Sequence, residues 1–283
     1  MIEYGLKYRL LKILASLAGK VGKGMGLTLQ KPIFIVGTGR CGTSLLVRLL
    51  QSHKKIAVFP SEANELWHPK SYPYSEARLE IPPILMNPKV FTEISLNNWP
   101  NNHEDSIEKI FVGFHLLKGT SKAFVLKSAM IAFMIEPILR IFPGAKFIHI
   151  YRNGVSVVES LFKKEWPKYR SMLANEQDFR FCCAEYWSNC ITEIDRVDES
   201  LSLKKRNALY ELRYEDLCNE PRGHLDNLAN FMGCEVEGFN FDLSRIKSTN
   251  YKVGDYTRDE KWFEIVEAMY PTMKRKGYDM ALS

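Results

Sequence analysis

The chain has 283 residues, 46% of them hydrophobic and 25% charged, so it can bury a sizeable core and is too apolar to be a disordered chain. Lys and Arg total 39 against 33 Asp and Glu, a formal charge of +6 that suits a mildly basic surface or an anionic ligand. Zinc-finger spacing, RNP-type aromatic motifs and dense basic runs are missing, which argues against a nucleic-acid partner, and no run of about 18 apolar residues predicts a spanning helix.

Residues 2–18, IEYGLKYRLLKILASLA, are amphipathic and basic. Lys12 interrupts the apolar stretch and no small-residue cleavage site follows, which argues against a secretory signal. Two readings stay open: a helix docked against the domain, and a helix making peripheral contact with a membrane surface. Gly19, Gly22, Gly24 and Gly26 predict a flexible lead-in over 19–30. One large domain then runs from 31 to 283. The six cysteines form no CxxC pair, and three share one helix, where they read as small apolar residues. A reducing, cytoplasmic compartment fits that usage.

Ile33-Phe34-Ile35-Val36 is a short apolar run bounded by Pro32 and Gly37, the pattern of a buried strand. A glycine-containing turn leads to 43–53, with Leu45, Leu46, Leu49 and Leu50 at helical spacing. The stretch 66–122 carries six prolines with Trp67, Tyr72, Tyr74 and Trp99. It reads as an insertion, either an acceptor lid or a structural excursion. Strands are predicted at 123–127, 146–151 and 208–213. Helices are predicted at 130–142, 155–165, 177–199, 222–233 and about 258–276. This alternation implies an α/β fold with a central parallel sheet flanked by helices. Ligands in such sheets lie beyond the carboxyl ends of the strands, at the turns after Val36, Lys127, Tyr151 and Arg213.

The first of these turns reads Gly37-Thr38-Gly39-Arg40-Cys41-Gly42-Thr43-Ser44. Glycines let the backbone fold around a polyanion, the following helix N-terminus favours negative charge, and Thr43 and Ser44 add hydroxyl donors. A nucleotide-kinase P-loop needs lysine after its second glycine. Here that residue is Thr43, and the positive charge sits at Arg40. This loop resembles the 5′-phosphosulfate loop of sulfotransferases that use 3′-phosphoadenosine-5′-phosphosulfate (PAPS). A second segment, Tyr151-Arg152-Asn153-Gly154 with Ser160 eight residues after Arg152, is similar to that family's 3′-phosphate site. LRYEDLCNEP at 212–221, with Tyr214, and KRKGYD at 274–279 agree with the same family. Within it, LKSAMIAFMIEPILRIFPGAKFIHIYRNG is similar to the tyrosylprotein and carbohydrate branch.

The resemblance implies a P-loop NTPase-like three-layer sandwich and sulfuryl transfer from PAPS, without a metal, to an acceptor hydroxyl. The acceptor stays open among sugar, peptide tyrosine, lipid and small alcohol or phenol. It further implies that Gly39, Arg40, Cys41, Gly42, Thr43, Ser44, Arg152, Ser160 and Tyr214 hold the nucleotide. Arg40 would stabilise the transferring group, and Lys127 would bind the sulfuryl group or acceptor. The cytosolic branch's histidine is absent, since Lys127-Ser128-Ala129 stands in its place. The other branch's glutamate falls nearest Glu62, with Glu65 an alternative. Ser248 and Lys261 fit the late serine and lysine of the tyrosylprotein type, whereas Lys252 within KVGDY fits the late loop of the cytosolic type. A small-molecule kinase and a non-catalytic nucleotide-binding protein are the rival readings.

Overall fold

The computed structural model describes residues 2–69, 87–170, 175–242, 246 and 260–278. Five strands, β1 (Ile33–Val36), β2 (Ile56–Val58), β3 (Ala123–Lys127), β4 (Lys146–Tyr151) and β5 (Leu209–Arg213), form one sheet in the order β2-β3-β1-β4-β5. Every pair is parallel. All four residues of β1 are buried, as a central strand covered on both faces requires. Phe34 pairs in register with Leu126 on one side and Phe147 on the other.

Eleven α-helices surround the sheet among the described residues: α1 (Ile2–Gly24), α2 (Thr43–Gln51), α3 (Asn64–Trp67), α4 (Pro88–Asn97), α5 (His103–Lys118), α6 (Ile135–Ile141), α7 (Gly154–Tyr169), α8 (Glu176–Leu201), α9 (Tyr214–Asn219), α10 (Pro221–Met232) and α11 (Glu260–Arg275). The chain steps from β1 two places one way to β2, and later passes β1 the other way to β4. Right-handed crossovers therefore put α2 on one face and α5 and α6 on the other. On that second face Phe34 meets Phe111 of α5 and Phe142 just beyond α6, at ring-centroid distances of 6.5 and 6.1 Å. The result is the expected three-layer α/β sandwich, and β1 is its topological switch point.

Three elements differ from the sequence expectation. The lead-in read as flexible over 19–30 is helical to Gly24. The reason is a glycine-to-glycine crossing. A Cβ on Gly19 would fall 1.9 Å from the Lys109 carbonyl oxygen, and one on Gly113 would fall 1.7 Å from that of Ala15. The backbones of α1 and α5 therefore touch, and the docked-helix reading of 2–18 holds. Second, the predicted helix 130–142 splits into a 3₁₀ turn at Ala129–Ile131 and α6. Pro137 lacks an N–H and is accommodated in the first turn of a helix, so α6 starts just ahead of it. Third, β2 and the helices inside 66–122 were not foreseen. In that stretch α5 buries Ile107, Ile110, Phe111 and Phe114 and is a core element rather than a cover. Residues 70–86, on which much of the lid reading falls, lie outside the described residues. Among the described residues no helix is long and apolar enough to cross a membrane.

Candidate active site

The turn after β1 is shaped by close backbone approach. Gly37 (φ 141°) lies against β4, where a Cβ would sit 2.3 Å from the Ile150 carbonyl oxygen. Arg40 adopts the left-handed region at φ 70°, and Gly42 does so at φ 104° as the residue capping α2. No side chain caps that helix, so its first N–H groups face the turn as donors for an anion. A Cβ on Gly42 would meet the Tyr214 ring at 2.3 Å. Tyr214 thus forms the floor of the loop. Cys41 is buried, donates to the Thr38 carbonyl at 2.7 Å, and has its thiol pushed up to about 11 by desolvation. It is a neutral packing residue. Thr43 is buried and Ser44 exposed.

The turn after β4 comes to the same place. Arg152 is buried, and its guanidinium stands 4.7 Å from the centroid of the Tyr214 ring. Its Nη1 is 3.5 Å from the Arg40 carbonyl oxygen. Trp187 Nε1 donates to the Arg152 carbonyl at 3.1 Å, which ties the strand end to α8. Asn153 caps α7 by accepting from Ser156 N–H at 3.2 Å, and its own N–H donates to Glu215 Oε1 at 3.0 Å. From the second turn of α7, Ser160 Oγ accepts from Arg40 Nε at 3.0 Å. Arg40 therefore reaches toward the Arg152–Ser160 side of the crevice.

The cation beside the candidate base is Lys127, whose ammonium pairs with Glu62 at the end of β3. Glu65 is directed elsewhere. It accepts from Tyr8 Oη at 2.6 Å and pairs with Lys12 at 3.4 Å, both on α1. Ser128, next to Lys127, donates to Asn64 Oδ1 at 2.9 Å and fixes the turn into α3. Ser248 and Lys252 lie outside the described residues, as does the side chain of Lys261 on α11. Among the described residues no three His, Cys, Asp or Glu side chains cluster as metal ligands.

Three supporting residues escaped the sequence reading. Tyr186 Oη accepts from Gly39 N–H at 3.3 Å and lies 3.4 Å from the Ala129 carbonyl, bridging the loop and the turn after β3. Trp187 holds the Arg152 backbone through its carbonyl. Glu215 accepts from the Asn153 N–H and from Tyr278 Oη at 2.7 Å, which joins the YED segment to the chain's last described turn. Glu215 had a signal, being adjacent to Tyr214 in a family-like segment. Tyr186 and Trp187 had only their place on the buried side of α8.

A model of the sulfotransferase family matches residues 32–238. The omega-hydroxy-beta-dihydromenaquinone-9 sulfotransferase Stf3 of Mycobacterium tuberculosis is 30% identical over 171 residues, 56% of this chain and 42% of that protein. The matched stretch thus spans less than half of that relative. An uncharacterized protein of Aquifex aeolicus is 25% identical over 76% of this chain and 26% of its own length. Among solved structures, sulfotransferase STF1 of Mycobacterium tuberculosis superposes with a TM-score of 0.58 at 16% identity, covering 95% of this chain and 83% of that one. The sulfotransferase domain of the Synechococcus olefin synthase gives 0.55 at 18% identity, covering 89% and 96%. The family model spans most of the chain, from residue 32 to residue 238, and the chain belongs to the sulfotransferase family.

Proposed function

We propose that the protein transfers a sulfuryl group from PAPS to an acceptor hydroxyl, releasing adenosine 3′,5′-bisphosphate. The observation that carries this reading is the convergence of two anion-binding turns on one floor, with Gly42 and Arg152 both against Tyr214 and Arg40 bonded to Ser160. The loop N–H groups and Thr43 suit the 5′ end of the nucleotide. Arg152 and Ser160 suit a terminal phosphate dianion, which an arginine fork and a hydroxyl bind well.

Glu62 takes the acceptor's proton as the acceptor oxygen bonds to sulfur. The bond between sulfur and the bridging phosphate oxygen breaks, and the electron pair stays on that oxygen. Lys127 and the loop donors meet the charge that develops there. Glu65 is excluded from the base role in this scheme because Tyr8 and Lys12 hold it against α1. The acceptor is a hydroxyl-bearing small molecule of the kind named in Stf3, ahead of a sugar or a peptide tyrosine. Six free cysteines suit a reducing, cytoplasmic setting.

Adenosine 3′,5′-bisphosphate at a hundred times its Kd stabilises the fold by about 2.7 kcal/mol, seen as a raised melting temperature, while ATP does much less. Transfer of labelled sulfate from PAPS to an acceptor panel falls by roughly a hundredfold or more in Glu62→Gln and little in Glu65→Gln. Equal stabilisation by ATP, or full turnover by Glu62→Gln, overturns the donor and base assignments respectively.

A further inference from the structure

The face of α1 turned away from the domain carries an apolar stripe. Leu10, Ile13, Leu14, Leu17 and Val21, with Met25 in the turn just past the helix, are between 52% and 73% exposed. With Ile13 beside it, the row 10-14-17-21-25 follows the helix for about 22 Å at 1.5 Å per residue. The stripe cannot roll inward. The opposite face holds Ala15 and Gly19 against the α5 backbone, and Gly22 against the Val112 and Leu116 side chains. Lys12 pairs with Glu65 near one end, and Lys23 with Asp105 at 2.8 Å near the other.

The charge of the helix itself is predominantly positive. The span Ile2–Gly24 holds five Lys or Arg against the single acidic residue Glu3. Lys12 and Lys23 are turned to the domain, whereas Lys7, Arg9 and Lys20 are exposed along the stripe's flanks. Apolar side chains bordered by cations on a helix fixed in the surface plane fit the boundary of a bilayer with anionic headgroups. A second copy of the chain fits less well, because stripe-to-stripe contact brings the two cationic borders together.

We propose that α1 docks the protein on an anionic membrane surface through this stripe, lying in the interface without crossing it. Tyr8 and Lys12, toward the N-terminal end of α1, hold Glu65, which is three residues along the chain from Glu62. The proposal is independent of the donor chemistry above. It requires only the helix and its borders.

The test is co-sedimentation of the purified full chain with phosphatidylcholine vesicles, with and without about a third phosphatidylglycerol. Binding is expected at least tenfold tighter with the anionic lipid, and weakened by salt. Leu14→Ser with Leu17→Ser abolishes it, while the melting temperature is kept because both side chains are exposed. Arg9→Glu with Lys20→Glu removes the preference for anionic lipid. No binding to either vesicle, or binding indifferent to both double variants, overturns the proposal. So does a concentration-dependent doubling of mass in light scattering that the serine variant alone removes, since the stripe would then serve a second copy.

Discussion

At the scale of single residues, Arg152 has the most specific role to test. It is buried beneath the loop with its guanidinium over Tyr214, and its backbone is held by Trp187. Lysine keeps the charge but loses the planar fork and the stacking on the ring. A hydrogen bond to a charged group contributes about 1.5–3 kcal/mol, so Arg152→Lys weakens adenosine 3′,5′-bisphosphate by roughly ten- to a hundredfold. Binding of adenosine 5′-monophosphate, which lacks the 3′-phosphate, changes little. Calorimetric titration of both nucleotides checks this, and equal losses for the two place Arg152 away from the 3′-phosphate. The same scale explains why Glu62 and Glu65 were not separable in the sequence. They lie in one short segment, and spacing alone allows either. What separates them is Tyr8, 57 residues from Glu65 in the chain, and no local pattern encodes that contact.

At the scale of elements, legibility followed how self-contained each signal was. β1, β3, β4 and β5 are short apolar runs closed by Gly, Pro or a charged strand end, and their bounds were nearly all read correctly. The loop and the Arg152–Ser160 motif were readable because each sits at a strand-to-helix junction. α5 was not, because it lies in the proline- and aromatic-rich stretch 66–122, which reads as an insertion. In the fold its Gly113 is the contact point for α1. Gly113→Ala gains about 1 kcal/mol of helix propensity. It also drives a methyl into the Ala15 carbonyl, an overpacking that costs up to about 3 kcal/mol or more. The net loss of roughly 2 kcal/mol lowers the urea midpoint. A midpoint equal to the parent's would mean that α1 is not seated on α5, and it would remove the geometric basis for an outward stripe as well.

At the scale of the whole molecule, buried histidines and a buried glutamate set how the fold responds to acid. His68, between α3 and α4, is fully buried with Nδ1 2.7 Å from Ser95 Oγ, and desolvation lowers its pKa from 6.5 to about 4. Its neutral form is favoured in the fold, so the unfolded chain binds the extra proton between those two values. Stability is therefore complete above about 6.5 and falls as pH drops toward 4. His149 on β4 is depressed by burial in the same direction. Glu211 on β5, although burial opposes it, is held well below the usual carboxylate range by His149, Lys204 and Lys276. Its contribution persists above the unfolded carboxylate value of 4.5 and is lost below it. All three groups tilt stability the same way, so unfolding free energy should decline as pH falls through about 6.5 and steepen below about 4.5. Each buried histidine contributes up to about 1.4 kcal/mol per pH unit to that slope. His68→Gln should flatten it by this amount between pH 6 and 5, measured by urea denaturation across that range. An unchanged slope would mean that His68 titrates alike in the folded and unfolded chain, contrary to its placement against Phe91 and Ser95.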